Sequence, residues 1–152
     1  MDVATTVLIL HVGLAAVWDL AQRRIPNWLV VSGLLLGFAF QAQSSGFAGL
    51  GSSVLGAAVA LVALIGPFAL RWMGGGDVKI SMVCGAFLGW SGALHVILIG
   101  TVAHGVLGIG VLGSRLVQRS MGRQTDSPAK LPHALGFAVS TVLYTAGIGR
   151  LF

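Results

Sequence analysis

The chain has 152 residues, 56% of them apolar and only 9% charged, with a mean hydropathy of +0.94. That is more apolar surface than one small soluble core can hide, which excludes an ordinary water-soluble domain and indicates an integral membrane protein. Nine Lys and Arg stand against four Asp and no Glu, an excess that in a membrane chain gathers beside anionic lipid on the cytoplasmic side and requires no nucleic acid.

A helix needs about 20 apolar residues to cross a bilayer, and the polar punctuation cuts the chain into six candidate spans. In chain order they are roughly residues 3–21, 27–43, 49–70, 78–90, 93–117 and 131–150. The apolar run that opens the chain lacks a basic leader region and a small-x-small cleavage site, so it is expected to be a retained span. The connector after it, Arg23-Arg24-Ile25-Pro26-Asn27, should stop the first helix and start the second, because proline suits the first helical turn. Uncharged QSSG separates the second and third spans, RWMGGGD the third and fourth, and WSG the fourth and fifth. A longer basic segment, residues 114–130, precedes the last span; its four cations, one acid and lack of aromatics suit a solvated juxtamembrane loop.

Arg23 and Arg24, Arg71 and Lys79, and Arg115, Arg119, Arg123 and Lys130 occupy alternate connectors, so the positive-inside rule puts these on the cytoplasmic side and both termini outside, with Arg150 the single exception. The expected fold is an all-α six-transmembrane-helix bundle forming a single domain over residues 1–152. The fourth span is short, about 20 Å long, so the glycines before it are expected to be irregular backbone dipping below the lipid surface. Small-xxx-small pairs such as Gly33/Gly37 and Gly85/Gly89 should let helices pack closely.

Two of the four acids, Asp19 and Asp77, lie in or beside apolar spans, where an ionisable group is costly and marks a site. The second and third spans carry the chain out and back, returning Asp77 to the face where Asp19 lies. Two nearby carboxylates suit peptide hydrolysis: one takes a proton from water while the other, protonated, polarises the scissile carbonyl. Lys79 and Arg23 follow their respective acids closely enough to hold a carboxylate or a lipid phosphate. Gly74 and Gly76 leave room for a substrate backbone and permit the positive φ of a sharp turn.

The bland alternatives are a helix-capping role for Asp77 and a snorkelling role for Asp19. His11, His95, His104 and His133 show no ligand-pair spacing and read as hydrogen-bonded structural groups. The single cysteine, Cys84, excludes a disulfide framework or a thiol zinc site within one chain and reads as a packing residue.

Taken together, Asp19-x-x-x-Arg23-Arg24-Ile25-Pro26-Asn27 and Gly74-x-Gly76-Asp77-x-Lys79 resemble the type IV prepilin peptidases, GxGD-type aspartic proteases of the membrane. The resemblance implies a catalytic dyad of Asp19 and Asp77, with Gly74, Gly76, Lys79, Arg23, Pro26 and Asn27 as supporting positions and neither metal nor cofactor. It implies cleavage of prepilin leaders at the cytoplasmic face of the bacterial inner membrane. It also implies prepilin-like substrates and pilus or secretion machinery as partners, with anionic headgroups at the basic loops and no nucleic acid. Longer members carry a four-cysteine zinc module and methylate the new N terminus. This chain has neither the cysteines nor the room, and its compact size is similar to the peptidases of tight-adherence (Flp-type) pilus systems. Two rivals use the same residues differently: a proton- or ion-coupled transporter with the acids as relays, and a non-catalytic assembly component that keeps the scaffold.

Overall fold

The computed structural model describes residues 2–22, 24–120 and 134–146, with side chains placed for 2–22, 24–102 and 139–146. These residues form four helices: α1 (Val3–Gln22), α2 (Asn27–Ala69), α3 (Gly75–Ser120) and α4 (Ala134–Thr145). Three helical stretches, Val3–Gln22, Asn27–Ala69 and Gly75–Val102, are long and apolar enough to cross a membrane. Their outward faces carry exposed large apolar side chains such as Leu10, Leu14, Val17, Leu35 and Val62, the arrangement a lipid solvent favours.

Helix α1 starts behind Asp2, whose carboxyl the Thr5 hydroxyl holds below the usual carboxylate value. Its buried face is Leu8, Val12, Ala15 and Ala16, the spacing of a helical stripe. Asp19 continues that stripe by one turn, so the acid points toward the bundle. Lower down, His11 Nε2 lies 2.8 Å from the Leu29 carbonyl. A carbonyl only accepts, so Nε2 carries the proton there. Gly33 makes room for the ring, because a Cβ at that position would stand 2.6 Å from His11 Nε2 and 2.8 Å from Val83 of α3.

At 43 residues, a straight α2 would be about 65 Å long, twice the hydrocarbon thickness. The backbone breaks at Ser45 and Gly46, where Gly46 takes φ 58° and ψ −140°. Gly37, before the break, abuts Ala86 and Phe87; Gly56, after it, abuts Gly85 and Gly89. Both halves of α2 therefore flank the same stretch of α3 as a hairpin, its turn at the QSSG connector expected from sequence.

Helix α3 breaks similarly at Gly89, with φ 70°. A break strips the preceding carbonyls of their helical donors. Two side chains replace them, one from each half of α2: Gln41 Nε2 donates to Phe87 O at 2.6 Å and Ser53 Oγ to Ala86 O. Helix α4 closes the far side through a Cys84 Sγ to Thr141 Oγ1 contact of 3.1 Å and a His95–Tyr144 ring contact.

The sequence expectation differs from the structure at the start of α3. Residues Gly75 to Asp77 are helical, not irregular, and none of the glycines from 74 to 76 takes a positive φ. The left-handed residue in this connector is Arg71, with φ 60°. It ends α2 in a Schellman motif, Trp72 N bonding Pro67 O and Arg71 N bonding Phe68 O at 3.0 Å each. Of the expected last span, residues 131–150, the structure describes 134–146, with α4 over Ala134–Thr145.

Candidate active site

The two motifs meet at one end of the bundle. Pro26 occupies the N-cap of α2 with φ −66° and ψ 143°, an extended conformation its ring favours. Its carbonyl receives Leu29 N at 3.1 Å. Trp18 and Trp28 bracket this turn edge to face, with centroids 5.8 Å apart. On the other side, Gly74 precedes α3 and accepts Asp77 N at 3.2 Å. The capping position is thus Gly74, and Asp77 lies within the first turn with its side chain fully buried.

Between the motifs lies an open cleft of about 630 Å³ whose lining includes Asp19, Pro26, Asn27, Gly75, Gly76 and Lys79. Trp18, Gln22, Arg24, Ile25 and Phe68 complete the lining. Asp19 is half-buried and faces this space. A Cβ on Gly76 would stand 3.6 Å from Asp19 Oδ1 and 3.2 Å from Ile25 Cδ1. The missing side chain therefore lets the first acid approach the residue immediately before the second. Glycine serves here through space and not through φ.

The structure thus gathers Asp19, Gly76, Pro26, Asn27 and Lys79 around one cleft, with Asp77 fully buried in the first turn of α3 and outside the cleft's lining, and Gly74 at the helix start. Arg23 lies outside the described residues.

Lys79 reaches elsewhere than expected. Its Nζ donates to Ile25 O at 2.9 Å and to Asn27 Oδ1 at 2.8 Å, so it fastens the first motif's turn to the second motif's helix. No sequence rule pairs a lysine with a carbonyl and an amide fifty residues upstream; only the spatial return of α3 creates that contact.

The model of the type IV leader peptidase family matches residues 6–109, a stretch that holds both motifs and the cleft. The chain belongs to the type IV leader peptidase family. No curated relative and no solved structure matches it. Family membership makes it a peptidase, and its apolar helices make it a membrane protein.

Within this peptidase the Lys79 tie is open to a direct test. Hydrogen bonds from a charged donor contribute roughly 1.5–3 kcal/mol each. Replacing Lys79 by Met should lower stability by about 3 kcal/mol in detergent thermal unfolding, and Asn27→Ala by about half as much, because the Ile25 bond survives. Lys79→Arg should fall between Met and wild type. Equal melting temperatures for Met and wild type would show that the tie carries no weight.

Proposed function

We propose that the protein is an intramembrane aspartic endopeptidase that removes the leader of type IV prepilin-like substrates, of the Flp type. The observation that carries this reading is the glycine-permitted approach of Asp19 to Gly76, the neighbour of Asp77, at the edge of a peptide-sized cleft.

In this reading the two aspartates share the work. One carboxylate takes a proton from water as the water oxygen bonds to the scissile carbonyl carbon. The other acid gives its proton to the carbonyl oxygen, forming a neutral tetrahedral diol. Collapse of the diol breaks the C–N bond: the amine leaves with the proton that the first acid had collected, while the second, now ionised, takes back one hydroxyl proton of the diol. Neither metal nor cofactor enters the scheme. In this scheme the roles belong to the dyad and not to fixed residues.

The membrane setting completes the proposal. Six spans with both termini outside follow if the breaks at Ser45–Gly46 and Gly89 each mark a crossing to the opposite face. The cleft then faces the cytoplasm at the bacterial inner membrane, where Arg24 and Arg71 meet anionic headgroups and pilus or secretion machinery hands over the substrate. With one cysteine, Cys84, these residues fit a peptidase domain that adds no methyl group.

The test is to incubate the purified protein with an Flp-type prepilin and map the new N terminus by mass spectrometry. A single cut after the basic leader is expected, with no methyl group added. An intact substrate, or cleavage that an Asp19→Asn variant carries out equally well, would overturn the proposal.

A further inference from the structure

A line of polar side chains runs from the site into the bundle along α3. Asp77, Ser81 and Cys84 recur at the spacing of one helical face, and Cys84 meets Thr141 of α4 at 3.1 Å. Cys84 and its partner are satisfied by each other. Ser81 is different: it is 1% exposed, and its Oγ has no hydrogen-bond partner among the described residues.

That is an unusual condition for a serine in an apolar helix. Such a hydroxyl ordinarily bonds back to the carbonyl one turn earlier, and leaving it unmade while buried costs about 1–3 kcal/mol. Each Cα–Cβ bond in a helix leans toward the N terminus, so the side chain at 81 tilts over the turn that carries Asp77. Residues four apart on a helix are neighbours, with Cβ atoms about 5–6 Å apart, so the hydroxyl and the Asp77 side chain lie on adjoining turns of one face.

We infer that Ser81 is a positioning residue that donates its hydroxyl hydrogen to the Asp77 carboxylate in the working enzyme, fixing the acid's orientation toward the scissile bond. This rests on the dyad reading above. Ser81 is not among the residues that line the cleft, so such a donor leaves the substrate's approach free.

The experiment compares Ser81→Ala and Ser81→Thr with the wild-type full chain, with Asp77→Asn as control, using an Flp-type prepilin as substrate. Ser81→Ala should lower kcat about tenfold, equivalent to about 1.4 kcal/mol, with KM within twofold. Ser81→Thr, which keeps the hydroxyl, should recover kcat to within about threefold of wild type. Thermal unfolding supplies the readout a structural role would not give. Deleting an unpartnered buried hydroxyl should leave the melting temperature unchanged or raise it, so stability and turnover move apart. Wild-type kcat in Ser81→Ala overturns the inference, as does a kcat loss matched by a falling melting temperature. If Asp77→Asn still cleaves, the dyad reading fails instead. If Asp77→Asn is inert while Ser81→Ala is normal, only the role of Ser81 falls.

Discussion

Asp19→Asn and Asp77→Asn should each reduce prepilin cleavage by at least about 10³-fold while the protein continues to insert and fold. Acid–base partners contribute typically 10²–10⁴-fold each, and in the proposed scheme each aspartate serves as base in one half of the reaction and acid in the other. Asparagine matches aspartate in shape but can neither accept nor deliver the proton. Groups that act as a unit lose function as a unit, so the double variant should be no worse than either single one. A multiplicative loss in the double variant would mean that the two acids act separately. The stability side separates chemistry from folding. Asp77 is fully buried at the start of α3 and Asp19 is half-buried in the cleft wall, so neutral isosteres relieve a desolvation cost. Melting temperatures should hold or rise in both variants, and a collapse of either fold would make the activity loss uninformative about catalysis.

The parts of this arrangement that were readable from sequence are those set by local chemistry. Ile25-Pro26-Asn27 stops one helix and begins another because proline fixes φ and withholds a donor, and α2 does start at Asn27. The QSSG connector foreshadows the break at Ser45–Gly46 because glycine adopts such angles at little cost, whereas the break expected at WSG falls instead at Gly89, inside the expected fourth span, and residues 90–92 are helical. Asp19 falls on the inner face because it continues the spacing of Leu8, Val12 and Ala15.

What sequence could not supply are contacts whose partner is fixed only after the helices assemble. The cluster at residues 74–76 looks like a turn, yet two of the glycines begin a helix, and the reason for Gly76 is the proximity of Asp19 and Ile25. Lys79 looks like a counterion for Asp77, yet its bonds go to the turn at 25–27. Gln41 and Ser53 look like polar residues beside a loop; they cap carbonyls freed by a break in a different helix. Arg71 in a glycine-like conformation carries no sequence signal at all.

The second large effect concerns the crossing of α2 and α3. Lipid tails are as apolar as leucine, so helices in a bilayer are held by close packing and not by hydrophobic exclusion. At Gly56 and Gly85 the two backbones touch: a Cβ on Gly56 would collide with Gly85 O and stand 2.6 Å from Gly89 C, and one on Gly85 would collide with Gly56 O and stand 2.6 Å from Gly56 C. These are main-chain atoms with no rotamer to change. Gly56→Ala or Gly85→Ala must therefore pry the helices apart, at a cost of about 3 kcal/mol or more.

Gly51 and Gly66 of the same helix α2 provide the contrast, since nothing lies within 4 Å of a Cβ there. Alanine at those sites should be neutral or add up to about 1 kcal/mol through helix propensity. Monodisperse yield and melting temperature in detergent should split the four variants into two groups. Cleavage should split with them, because Asp77 rides on α3 about two turns from Gly85 and moves when the crossing opens. If Gly85→Ala folds and cleaves as Gly51→Ala does, the α2–α3 contact is not what holds Asp77 against the Asp19 cleft.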